Sequence, residues 1–71
     1  MDIVMTNQEK IMTAIEKHPE GISGAGIYKE AGISSGSLYP ILMRLESEKV
    51  LRSEWREGPR PRMRLYFKVG A

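Results

Sequence analysis

A chain of 71 residues makes one domain at most, and one this short buries a small fraction of its surface and has a thin stability margin. It has no cysteine and a single histidine, which excludes disulfides, thiolate metal sites and the usual zinc site as stabilising devices. The net charge of +2 is unevenly spread: residues 1–43 carry three lysines against five carboxylates, and residues 44–71 carry eight cations against four, an asymmetry that favours a polyanionic partner for the second part.

The first predicted element is a helix over residues 7–18. Thr6 is placed to cap it, Glu9 stands three residues on as the capping-box partner, and Ile3 or Met5 can supply a staple contact. Ile11, Ala14 and Ile15 recur at helical spacing with Met12 beside them, and Pro19 and Gly21 close the segment. Ser23 caps a short second helix over residues 24–31, with Ile27 and Tyr28 on its apolar side. Its two glycines each cost about 1 kcal/mol against alanine, so packing must hold it, and the small residues Gly24, Ala25 and Gly26 permit a close helix–helix approach.

Gly32 is a C-cap able to adopt positive φ, Ile33 packs, and Ser34 caps a third helix over residues 35–49. A short glycine-containing connection between two helices is the linkage of a helix-turn-helix. Leu38, Leu42 and Leu45 form the apolar stripe of the third helix, widened by Ile41. Pro40 removes the amide bond to the Gly36 carbonyl and crowds it. Near the helix start that penalty is smaller, and Gly36 adds no side chain to the crowding.

The remainder alternates as β-structure. Val50, Leu51, Ser53 and Trp55 belong to a first strand, with Leu51 and Trp55 on one face and Arg52, Glu54 and Arg56 on the other. Residues 57–62, EGPRPR, form a turn in which two prolines prevent ladder extension. In the second strand, residues 63–69, Leu65, Phe67 and Val69 share one face, and Arg64, Tyr66 and Lys68 share the other. The sum is an α+β fold, a winged helix-turn-helix of three helices followed by a two-stranded hairpin, with residues 1–71 as a single domain.

The run SSGSLYPILMRLESEKVLRSEW, with the later PRMRLYFKV, resembles the PadR family of winged-helix transcriptional regulators. The shared pattern falls on Ser35, Gly36, Ser37, Leu38, Tyr39, Pro40, Leu42, Leu45, Glu46, Trp55, Tyr66 and Phe67, about half the chain. The resemblance implies a DNA-binding, repressor-type domain whose third helix enters the major groove and whose basic wing lies on the backbone or minor groove. It assigns Ser34, Ser35, Ser37, Tyr39 and Pro40 to the start of the recognition helix, Arg44 to its later part, and Arg60, Arg62 and Arg64 to the wing. Members of the family continue into C-terminal helices that dimerise the protein and often help form an effector pocket. The sequence ends at Ala71, which corresponds to the DNA-binding domain without those helices. It also has Ala25, Gly26, Ile27 and Tyr28 where the family commonly opens its second helix on a glycine-tyrosine pair.

The residues carry a chemistry of their own. A helix N-terminus presents unpaired amides and partial positive charge suited to a phosphate, and the short hydroxyls of Ser34, Ser35 and Ser37 can meet phosphates or base edges. One of these serines, Ser34 first, also suits a purely capping role. Tyr39 has two uses: its ring against a sugar or a thymine methyl, or its ring sealing the third helix to the wing. Arg44 is a phosphate or base donor by helix phase. Arg56, Arg60, Arg62 and Arg64 crowd the wing, where guanidinium groups suit phosphates and a narrow minor groove. Lys68 extends that basic set or stands at the solvent end of its strand. Trp55 is expected in the core or at a dimer contact, and His18 at a helix C-terminus, where a cation is mildly favoured.

No nucleophile–base pair, paired carboxylates or phosphate loop occurs, so no enzyme activity and no cofactor or metal is expected. No apolar run approaches the roughly 18 residues of a membrane span, and no secretory signal is evident, so a cytoplasmic location is expected. The expected partner is double-stranded DNA. Specific operators usually need two half-sites, so a homodimer is expected too, formed through the N-terminal helix with Ile3, Met5, Met12 and Ile15. A protein-interaction winged helix and a sequence-blind architectural DNA binder are the alternatives.

Overall fold

A computed structural model describes residues 4–57 and 63–70 of the chain. The expected turn over residues 57–62 falls outside them except for Glu57, so Arg60 and Arg62 lie outside the described residues, as does Ile3. Six elements follow in order: α1 (Asn7–Glu16), β1 (Ile22–Ser23), α2 (Gly24–Ala31), α3 (Ser35–Ser47), β2 (Leu51–Arg56) and β3 (Met63–Lys68). No described helix is long and apolar enough to cross a membrane.

The capping box at α1 is complete. The Glu9 amide donates to the Thr6 hydroxyl at 3.2 Å, and the Thr6 amide donates to the Glu9 carboxylate at 2.9 Å, so two otherwise unpaired donors are satisfied together. Those bonds to Thr6 hold the Glu9 carboxyl below its usual pKa. Ile11, Ala14 and Ile15 face the core, and the helix ends at Glu16, two residues before the expected limit. His18 follows the helix, its Nδ1 3.1 Å from Glu20 and its Nε2 2.6 Å from Glu30 of α2. Bonding to Glu20, with Glu30 adding to it, raises the imidazole pKa against the opposing effect of desolvation.

Gly21 then turns the chain at φ +105°, directly behind the Phe67 ring. The turn delivers Ile22 and Ser23 antiparallel to β3, with Ile22 opposite Tyr66 and Ser23 opposite Leu65. This pairing gives a three-stranded sheet in the order β1-β3-β2 where a two-stranded hairpin was expected, because a strand of two residues is too short to show alternation in sequence. Ser23 also caps α2, accepting from the Gly26 amide at 3.1 Å. Gly32 closes α2 at φ +68°, its amide donating to the Tyr28 carbonyl at 3.0 Å, and the chain passes through buried Ile33 into α3.

Leu38, Leu42 and Leu45 bury one side of α3 among Ile11, Ile15, Ile27 and Leu51. Pro40 sits inside the helix on its exposed side, and the helix runs through it. The end of α3 is a Schellman turn. The Val50 amide donates to the Leu45 carbonyl at 2.9 Å and the Lys49 amide to the Glu46 carbonyl at 3.0 Å. Lys49 holds the positive φ of +64° that glycine usually takes there, which ends the helix at Ser47 rather than at residue 49.

β2 and β3 pair in register from Leu51 opposite Lys68 to Arg56 opposite Met63. Burial fades along β2, since Leu51 is in the core and the strand then runs outward beyond the helices. Trp55 is consequently 55% exposed, which excludes the core, one of the two places expected for the indole. On β3, Tyr66 reaches the core, and Phe67 is buried on the opposite face beside Gly21 with the Arg52 guanidinium 4.2 Å above its ring.

Gly21 combines two demands, a positive φ and a close approach. A Cβ there would lie 2.7 Å from the Phe67 ring. Gly21→Ala should therefore destabilise the fold by about 2 kcal/mol. Urea unfolding measures it, and an unchanged midpoint would show that the β1 turn tolerates a side chain.

Candidate nucleic-acid interface

The N-terminus of α3 projects from the surface. Ser34, Ser35, Gly36 and Ser37 are all exposed. Ser34 has the extended dihedrals of an N-cap, and its carbonyl accepts from the Ser37 amide at 3.0 Å and the Leu38 amide at 2.9 Å. Its side chain makes no capping bond; the hydroxyl instead donates to the Ser37 hydroxyl at 3.4 Å. The Ser34 side-chain cap expected from sequence is thus not formed, and with the Ser37 amide taken by the Ser34 carbonyl, the amides of Ser35 and Gly36 are the donors the helix start offers to an outside acceptor. A Cβ built on Gly36 would meet nothing, so the backbone itself is the surface at that point.

Tyr39 leaves the helix one turn later and is 45% exposed. Its hydroxyl lies over Gly24 at the start of α2, so close that a Cβ on Gly24 would be 2.6 Å from the phenol oxygen. The ring therefore packs on α2 while its other side faces outward. Tyr39 also forms part of a groove of about 450 Å³ between α3 and the hairpin, together with Met43, Trp55, Met63 and Arg64. Pro40 is exposed beside it.

The basic residues divide. Arg64 is held inward: its Nε donates to the Ser53 hydroxyl at 2.9 Å, and one terminal nitrogen reaches both Glu46 oxygens, at 3.1 and 3.0 Å. The Ser53 hydroxyl in turn donates to Glu46 at 3.0 Å. The same guanidinium stands 5.7 Å from the Trp55 ring centre and 5.6 Å from that of Tyr66. Burial pushes the Tyr66 phenol up in pKa, opposed by the positive charge of Arg64. Arg44 donates to the Gln8 side chain on α1, and Lys68 pairs with Glu16 at 2.9 Å. Arg44, Arg64 and Lys68 thus each have a partner within the domain, and the three serines, Tyr39 and Pro40 are all exposed at the start of α3.

Sequence reasoning placed Glu46 in the motif and Ser53 in the strand without giving either a role, passed over Met43, and read Gly24 as one of three small residues that permit close helix–helix approach. Glu46 had a usable signal: its helical phase lies on the same side as Tyr39 and points toward the hairpin. The small residue at Gly24 signalled a close approach of a helix, but not that the Tyr39 hydroxyl of α3 is what approaches it.

The sequence profile of the Transcriptional regulator PadR-like family matches residues 4–70. The crystal structure of a PadR family transcriptional regulator from Eggerthella lenta DSM 2243 is similar in fold, with a TM-score of 0.69 at 29% identity. The match covers 84% of this chain and 58% of that one, so the chain spans little more than half the length of that relative. No curated protein matches the chain.

The Glu46, Ser53 and Arg64 network ties the hairpin to α3. Glu46→Ala should lower stability by about 1 kcal/mol, the scale of a half-exposed charged hydrogen-bond set. It should also speed amide exchange in β2 and β3 more than in α1. Equal exchange in the hairpin of both proteins would show that the network does not hold it.

Proposed function

Because the chain belongs to the PadR-like family of transcriptional regulators, we propose that it binds duplex DNA sequence-specifically, as a repressor, through the N-terminal turn of α3 and the basic hairpin. The observation that carries this reading is the bare backbone at Gly36, flanked by exposed Ser35 and Ser37 at a helix start whose amides lack a side-chain cap. Such an end attracts phosphate through its donors and partial charge. Short side chains let the backbone come within hydrogen-bond distance, and their hydroxyls add contacts to phosphates or base edges. Tyr39 and Pro40 present flat surfaces to the sugar next to that contact.

In this reading Arg60 and Arg62 follow the DNA backbone or the minor groove. Arg44, Arg64 and Lys68 contribute less directly, since each would exchange a partner inside the domain for a phosphate. Arg64 acts mainly by fixing the hairpin. Residues 1–71 act as one winged-helix unit without a cofactor, and the chain works where its duplex is, in the cytoplasm.

Two half-sites call for two copies, so the functional unit is a homodimer. Ile15 is 1% exposed and is not available to a second copy, whereas Met12 packs on the core with part of its side chain at the surface. An N-terminal contact would fall to Val4, Met5 and Met12.

Selection from a random duplex pool tests the proposal, with convergence on an inverted repeat as the expected result. Affinity should fall steeply with salt, by close to one unit of logarithmic slope per phosphate neutralised. Gly36→Glu should fold normally, with helix propensity improved by about 0.5–1 kcal/mol, yet lose at least tenfold in affinity for the selected duplex. Unchanged affinity in that variant would remove α3 from the interface. Salt-insensitive indifference to every duplex would favour a protein partner.

A further inference from the structure

The side of α3 opposite its leucine stripe has an unusual composition for a helix proposed to read bases. Gly36, Pro40, Met43 and Ser47 recur there at spacings of four, three and four residues, and all are exposed. The side chains that make paired hydrogen bonds to bases are arginine and lysine with guanine, and asparagine and glutamine with adenine. None of these four types lies on that stripe. Three polar side chains on or beside it are engaged within the domain. Arg44 donates to Gln8, the Ser47 hydroxyl donates back to the Arg44 carbonyl at 2.8 Å, and Glu46 is bound by Arg64 and Ser53.

What the stripe presents is apolar. Met43 is 72% exposed and lines the same groove as Tyr39 and the hairpin residues Trp55 and Met63, the last 46% exposed. In the major groove the one apolar feature that distinguishes a base is the C5-methyl group of thymine. Methionine suits that contact, since its unbranched, polarisable chain adapts to a small apolar group.

Building on the proposed DNA reading, we infer that Met43, backed by Tyr39 and the apolar wall of the groove, is a specificity-determining residue that reads thymine methyl groups. Sequence preference at the centre of each half-site then comes from methyl contacts rather than from paired hydrogen bonds. The serines at the start of α3 set the register on the backbone, and Met43, two turns along, falls on the base edges.

The test uses the duplex recovered by selection, with each thymine replaced in turn by deoxyuridine, which deletes one methyl and keeps the base pair. The expected result is a loss of about four-fold at one or two thymines per half-site, the effect of withdrawing one apolar carbon from contact. Met43→Ala, checked for an unchanged circular dichroism spectrum, should bind the thymine duplex more weakly and no longer distinguish uracil at those positions. Tolerance of uracil at every position, with the duplex still bound, would overturn the methyl reading and leave DNA binding standing. Discrimination persisting in full in Met43→Ala would remove the role from Met43. Failure to retain any duplex would overturn both readings together.

Discussion

Leu38, Leu42 and Leu45 insert from α3 into a core built by α1, α2 and β2, and their burial fixes the rotation of that helix about its own axis. A helix anchored through three leucines at spacings of four and three residues cannot turn without exposing at least one of them. Burying a leucine side chain is worth roughly 2 kcal/mol. The opposite side is thereby committed to solvent or to a partner. Three of the features proposed for function lie on that side: the open backbone at Gly36, the ring of Pro40 and the thioether of Met43. The placement of Pro40 follows from the same constraint. The bond it lacks would have ended on the Gly36 carbonyl, on the face turned away from the core, where another molecule or water can satisfy the oxygen.

The hairpin is positioned by a second, smaller device. The sheet leaves the core as it passes Ser53, and from there the packing that holds Leu51 no longer acts on it. Glu46, Ser53 and Arg64 take over as a hydrogen-bonded link between α3 and the two strands. An arginine that appears in sequence as one of several wing cations thus ties the hairpin to α3. A planar guanidinium with several donors does this better than a lysine, since it can hold a carboxylate and a hydroxyl at once.

The sequence disclosed those parts of the fold in which local chemistry and periodicity agree. The Thr6 and Glu9 capping box, the limits of α2 and the glycine turn at Gly32 are contained within a few neighbouring residues, and all three were legible. The features that were not legible depend on distant partners. β1 exists because Gly21 brings Ile22 and Ser23 beside β3, a pairing across more than forty residues that two residues cannot announce. Trp55 is in phase with Leu51, but phase alone does not say where a strand outruns its core. The same limit applied to the surface: the serines could be located at the helix start, whereas the pairing of Ser34 with Ser37 and the tethering of Arg44 and Arg64 required the fold.

The central claim is that the face of α3 opposite the leucines is the surface that meets duplex DNA. An NMR titration of isotope-labelled protein with a selected duplex tests it residue by residue. The account predicts that the amides of residues 34–37 and the Met43 methyl group shift first and furthest, with the buried leucine methyls scarcely moved. Shifts confined to the outer faces of α1 and α2, with residues 34–37 and Met43 unmoved, would contradict it.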